Sequence, residues 1–192
     1  LQILADHEAH LARLDAVSAL GSATFTSKSR SPVRTPDYCV GDGTADDTVA
    51  FQAALDAAVN SGRALEIIGR IKITGPIVLS TTKRVTIQAA TVDMNPFGAL
   101  SEDVASIEST GAAVFTAATA SAVHLSMTGI NFRNANGGIT TALFDTINFA
   151  DAQIVNNTAA NYNYIFKAGT LGGVSHVQRN RFLTIKTVFC SA

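Results

Sequence analysis

Seven side chains in the second half of the chain are of the types that cleave glycosidic bonds. They are the carboxylates Glu102, Asp103, Glu108, Asp145 and Asp151 and the histidines His124 and His176. Hydrolysis of a glycoside uses two carboxyl groups across the scissile bond, about 5–9.5 Å apart depending on the stereochemical outcome. In a stacked β-structure, a pair at that distance would sit in one column, one or two repeats apart. No two of these carboxylates align at equivalent places, and Glu102 and Asp103 fall in the long connection after Pro96. Each therefore reads as a solvated turn residue, and each histidine as structural rather than as a general base. No Ser/His/Asp or Cys/His spacing of a nucleophilic kind is recognisable. Catalytic residues are left unassigned, and the chain reads as a scaffold before it reads as an active site.

A second group of acids, Asp42, Asp46 and Asp47, lies in the stretch GDGTADDT over residues 41–48. Three carboxylates so close suit a cation, but the loop lacks the twelve-residue ligand pattern of an EF-hand, and no metal is expected. Gly41 and Gly43 form a lone G-x-G with no apolar strand before it and no third glycine after it, so no dinucleotide cofactor is expected. The stretch reads instead as a turn that hands the chain to a helix. Asp46 and Asp47 are the capping candidates, since a short carboxylate there accepts from the orphan amides of the first turn. Phe51, Leu55, Ala58 and Val59 then share one face at helical spacing, Gln52 and Asp56 lie off it, and Ser61-Gly62 is a stop signal. The spacing predicts a one-faced helix over about residues 47–60 that covers something apolar.

The wording G-D-G-x-x-D-D-T followed by A-F-Q-x-A-L-x-x-A resembles the opening of the pectate-lyase-like, right-handed parallel β-helix superfamily, an opening shared by phage tailspikes. The resemblance implies that this helix is an N-terminal lid on the first coil of a β-helix. The sequence departs from the family locally, at Asp37-Tyr38-Cys39-Val40 before the glycines and at Ile68-Gly69-Arg70-Ile71 after the helix.

The periodicity agrees with a solenoid. After Gly62 come short apolar strands, Leu65 to Ile68, Ile71 to Ile73, Ile77 to Leu79 and Val85 to Ile87. An apolar residue followed by Phe then recurs at Phe115, Phe144, Phe166 and Phe189, in steps of 29, 22 and 23 residues. A second strand follows each Phe about ten residues on, at Val123 to Met127, Ile154-Val155 and Val174 to Val177, and a third apolar point appears at Phe132 and Phe182. A unit this short cannot bury its own apolar face, whereas stacking lets each unit cover the next. The phenylalanines should form an internal ladder, and the asparagines at Asn131, Asn134, Asn136, Asn156, Asn157, Asn161, Asn163 and Asn180 should mark turns and bond from coil to coil. The first unit is longer by six or seven residues, as an insertion in a surface turn would make it. The last unit starts at Thr187-Val188-Phe189, and the solenoid is expected to continue beyond residue 192.

The elements ahead of the solenoid are of another kind. Residues 1–20 carry Ile3, Leu4, Leu11, Leu14, Val17 and Leu20 on one stripe, with His7 and His10 on or beside it. This amphipathic segment is expected to form a short coiled coil that makes the protein a homotrimer and attaches it to its partner. Residues 21–36 are rich in Ser and Thr with Lys28, Arg30 and Arg34, and read as a linker or neck; residues 37–192 are the β-helix.

With 192 residues, 47% of them hydrophobic and only 15% charged, the surface is unusually neutral, and the net charge of -1 excludes the dense basic face that nucleic acid would need. No apolar run reaches the ~20 residues that span a bilayer, so no membrane insertion is expected. Cys39 and Cys190 read as two free thiols. The resemblance implies a tailspike-like virion protein on a phage tail: the N-terminal helix meets other tail proteins, and the β-helix of the full protein recognises and depolymerises a bacterial surface polysaccharide. On that reading these 192 residues are inactive alone. The alternatives are a non-enzymatic trimeric tail adaptor and a secreted pectate-lyase- or polygalacturonase-like enzyme.

Overall fold

The computed structural model describes residues 31–91, 105–117, 122–135 and 141–190. The segment 1–20, with the coiled coil and trimer expected of it, lies outside them, as do Glu102, Asp103 and Asn136. The compact unit that contains all the described strands begins at Pro32.

The chain runs through three sheets in rotation, and every pairing is parallel. The first circuit is β1 (Val33–Arg34), β2 (Asp42–Asp46) and the helix α1 (Thr48–Ser61). Next come β3 (Leu65–Ile67), β4 (Arg70–Ile73) and β5 (Ile77–Leu79), then β6 (Val85–Ala89), β7 (Ser106–Ser109) and β8 (Ala113–Ala117). The fourth circuit is β9 (Ala122–Thr128), β10 (Asn131–Asn134) and β11 (Ala142–Asp145); the fifth is β12 (Asn148–Val155), β13 (Thr158–Ala160) and β14 (Tyr164–Lys167). The last holds β15 (Thr170–Leu171), β16 (His176–Gln178), β17 (Arg181–Leu183) and β18 (Thr187–Cys190). The first sheet is ordered β1-β3-β6-β9-β12-β15 with β16 also on β12, the second β2-β4-β7-β10-β13-β17, and the third β5-β8-β11-β14-β18. This mainly β, all-parallel arrangement is compatible with a β-helix or solenoid.

Each sheet sends apolar side chains, in register from strand to strand, into a shared core. In the first, Leu65, Ile87, Met127, Ile154 and Val177 are in register. In the second the column is Ile71, Ile107, Phe132, Ala159 and Phe182, and in the third Ile77, Phe115, Phe144 and Phe166. The expected ladder is formed: the rings of Phe115 and Phe144 stack at 5.5 Å and those of Phe144 and Phe166 at 5.2 Å. The middle repeat lacks a third large residue because Ala159 stands there, and Phe149 from the first sheet fills the space, edge-on to Phe144 at 5.4 Å and to Phe166 at 6.0 Å. One circuit earlier the sizes are exchanged, with Phe132 in the second sheet and Val123 opposite Phe149 in the first. Such large-small exchange keeps each layer filled.

Asparagines hold the corner between the first two sheets. The buried Asn157 accepts the Ile130 amide at 3.0 Å and donates to the carbonyls of Met127 at 3.3 Å and Val155 at 3.0 Å. One circuit on, Asn180 accepts the Asn157 amide at 2.9 Å and donates to Ile154 at 2.7 Å. Asn156 and Asn161 take the left-handed conformation that asparagine tolerates. Asn131 and Asn134, expected at turns, lie buried within β10 instead. The extra length of the first repeat falls mainly in the β10–β11 connection, residues 135–141, against 161–163 in the next circuit.

Helix α1 lies within a residue of its expected span, buries Phe51, Ala54, Leu55, Ala58 and Val59, and ends on Gly62 in the left-handed conformation. It follows β1 and β2 and stands where the first circuit has no third-sheet strand. Its Gln52 side chain accepts the Val78 amide at 2.8 Å and donates to the Val78 carbonyl at 3.1 Å, satisfying the edge of β5 as a neighbouring strand would. Two expectations are corrected. Val33 and Arg34, assigned to the neck by composition, form β1 and pair with β3; two residues between a proline and a turn carry too little periodicity to be read as a strand. The strand expected over Val174 to Val177 begins at His176, and Val174 is exposed because the chain bends there after Gly172-Gly173.

Candidate functional site

The described candidate carboxylates are distributed over all three sheets. Glu108 is on β7 of the second sheet, Asp145 on β11 of the third and Asp151 on β12 of the first, so no two share a face. Glu108 belongs to a column of alternating sign, Asp46, Lys72, Glu108 and Arg133, in which each charge faces an opposite one across the ladder. Asp145 accepts from Lys167 one circuit on at 2.9 Å and from the Thr146 hydroxyl at 2.9 Å. The two-carboxylate geometry of a glycosidase is not assembled among the described residues.

Asp151 has chemical company that sequence spacing did not show. Its Oδ2 lies 2.6 Å from Nδ1 of His124 on β9 and 3.1 Å from Nη2 of Arg84, just before β6, so three successive circuits meet at one carboxylate oxygen. A β-bulge makes the meeting possible: Phe149 is opposite Val123 but Asp151 is opposite His124, so Ala150 is the extra residue. Bulges of this kind re-aim side chains. Both Ala150 and Asp151 stay at the surface, and Phe149 and Ala152 on either side remain buried. The hydrogen bond with His124, aided by the charge of Arg84, holds Asp151 below its usual carboxylate range against the opposing effect of desolvation. Asp151 is thus an anchored anion rather than a proton donor near neutrality, and it orients the His124 ring through Nδ1.

The same outer face continues as two columns that are polar but for Val155. Thr86, Ser126, Gln153 and His176 are in register across four strands, and beside them run Gln88, Thr128, Val155 and Gln178. His176 is exposed on β16 and sits opposite Gln153, away from Asp151. Hydroxyl, amide and imidazole groups at strand spacing along one sheet face are suited to hydrogen-bonding a chain of sugar hydroxyls.

The acidic loop has a structural use. Asp47 is almost wholly buried and accepts the amides of Val40 at 2.8 Å and Gly41 at 3.0 Å, so it faces back into the turn and makes no side-chain cap. Asp46 does the forward work, accepting the Thr48 amide at 3.0 Å and hydroxyl at 2.5 Å and the Thr74 hydroxyl at 2.7 Å, which lower its pKa to about 2. Asp42 accepts the amides of Thr44 and Ala45, which lower it too. No group of three or more potential metal ligands occurs among the described residues. Cys39 is a buried thiol pushed up to about 12, chiefly by burial and further by Asp47, which makes it a poor nucleophile.

Comparison of the chain with family models, with curated proteins and with solved structures gives no match.

Proposed function

We propose that this chain is the proximal part of a tailspike-like virion protein of a phage. Its strands would wind as a right-handed parallel β-helix with α1 as the cap of the first coil. Its trimer would be held by residues 1–20, which also meet other tail proteins, and the outer face of the first sheet would contact a bacterial surface polysaccharide. The observation that carries this reading is the rotation of the chain through three parallel sheets, with a helix satisfying the free edge of one of them. Such a stack presents a long, regular face, and the polar columns of the first sheet supply hydrogen-bonding groups at every circuit.

A non-enzymatic role for this part of the protein is favoured by one specific observation: Glu108, Asp145 and Asp151 lie on three different sheets. The test is binding of the purified chain to bacteria with intact surface polysaccharide and to isogenic cells stripped of it, with light scattering for stoichiometry. Saturable binding to intact cells alone, by a trimer, is expected. Equal binding to stripped cells, or a monomer unaffected by deleting residues 1–20, overturns the reading.

A further inference from the structure

We infer that the concavity between the end of α1 and the start of β6 is a binding site for a tetrahedral oxyanion, a phosphate or sulfate group. On the reading proposed above, on which this inference rests, that group is a substituent of the surface polysaccharide. The pocket has a volume of about 350 Å3 and is lined by Arg63, Lys83 and Arg84 together with Thr86, Val59 and Ala64. None of its described lining residues is acidic.

The fold brings these cations together from distant sequence. Arg63 and Ala64 lead into β3 and Lys83 and Arg84 lead into β6, and the parallel register of Leu65 with Ile87 sets the two lead-in segments side by side. Arg84 gives one nitrogen to Asp151 at 3.1 Å, and a guanidinium has five N–H donors in all. Lys83 touches the Asn60 carbonyl and side-chain oxygen only at 3.4 Å each and has no carboxylate partner among the described residues. Arg63 spends one nitrogen on the Pro32 carbonyl at 3.0 Å, which fixes the guanidinium in place. Among the described residues the pocket is lined by three cationic side chains and no carboxylate, with Asp151 touching only Arg84 of the three, an arrangement that favours a doubly charged oxyanion over a singly charged one. The volume falls within the ~300–1,000 Å3 of small-molecule sites, which leaves room for the sugar ring that carries the group. Thr86 heads the polar column of Ser126, Gln153 and His176, so a glycan anchored at the pocket would run directly onto that face.

The test is a titration of the chain at low salt, followed by amide chemical shifts, with glucose 6-phosphate, inorganic phosphate, galacturonate and glucose. Saturable shifts at residues 62–64 and 83–86 are expected with glucose 6-phosphate and, more weakly, with inorganic phosphate, and none with glucose. Lys83→Gln, at an exposed position that leaves the fold intact, should weaken binding by up to about fivefold, and Lys83→Arg should restore it. Galacturonate binding as tightly as the phosphate, or unchanged affinity in Lys83→Gln, overturns the inference. Polysaccharide with and without its phosphate or sulfate groups separates the two claims. Equal binding of both forms defeats this inference and leaves polysaccharide recognition standing. Binding of glucose 6-phosphate with no binding of either polysaccharide defeats the proposed function and leaves the pocket standing. Shifts with inorganic phosphate but none with the sugar phosphate show a free-ion site, which contradicts the substituent.

Discussion

Replacing Phe144 by Ala removes the middle ring of the third-sheet ladder. The ring is 1% exposed, stacks on Phe115 at 5.5 Å and Phe166 at 5.2 Å, and meets the edge of Phe149 at 5.4 Å. Loss of its burial alone is worth about 1.5–3 kcal/mol, and each aromatic contact adds about 0.5–1.5 kcal/mol beyond area. The void cannot close, because β8, β11 and β14 are held at ladder spacing of about 4.8 Å by their own hydrogen bonds. The cost should therefore lie toward the upper end of the ~3–5 kcal/mol seen for Phe→Ala, a large fraction of the ~5–15 kcal/mol that holds a domain folded. Urea denaturation followed by far-ultraviolet circular dichroism measures it. Val78→Ala, at a 49% exposed site, is the control and should stay within about 0.5 kcal/mol. A loss below about 1 kcal/mol for Phe144→Ala would refute the argument that the three rings form one packed column.

Asn157→Ala should cost about 1–3 kcal/mol in the same assay, because the buried Ile130 amide loses its acceptor; an unchanged midpoint would show that the corner is not held by this residue. Acid should destabilise the α1 turn through Asp46. Its folded pKa is lowered to about 2, so its contribution is complete above the unfolded carboxylate range and is lost as pH falls from about 4 through about 2. Thr74→Ala should shrink that acid-dependent loss, and an identical pH profile would contradict the assignment. Incubating residues 1–192 with capsule or lipopolysaccharide should release no new reducing ends or unsaturated products. Turnover abolished by Asp145→Asn or Asp151→Asn would place the chemistry in this part of the chain.

Much of the architecture is legible before any coordinates, because burial imposes a period. Phe115, Phe144 and Phe166 must recur at matching places to meet in one column, and the limits of α1 are marked by Asp46-Asp47 before it and Gly62 after it. The charged cluster is illegible for the opposite reason. His124 and Asp151 come into register only through the bulge at Ala150, and Arg84 is separated from His124 by the long connection over residues 92–104. Spacing also cannot tell a carboxylate that caps forward from one that folds back. Asp46 and Asp47 are adjacent and chemically identical, yet one faces Thr48 and the other the amides of Val40 and Gly41. The middle repeat hides its third strand behind Ala159, whose place in the core is supplied by Phe149 from another sheet.

The claim that the outer face of the first sheet recognises polysaccharide is tested most directly by blocking that face. Gln153 is exposed at its centre, between Ser126 and His176 in register, and Gln153→Trp places a bulky ring there without touching the core. Affinity for isolated host polysaccharide, measured by calorimetry for the unaltered chain, Gln153→Trp and the third-sheet control Val78→Trp, should fall at least about tenfold in Gln153→Trp alone, with the thermal midpoint unchanged. Equal affinity for all three proteins, or a loss confined to Val78→Trp, would contradict it.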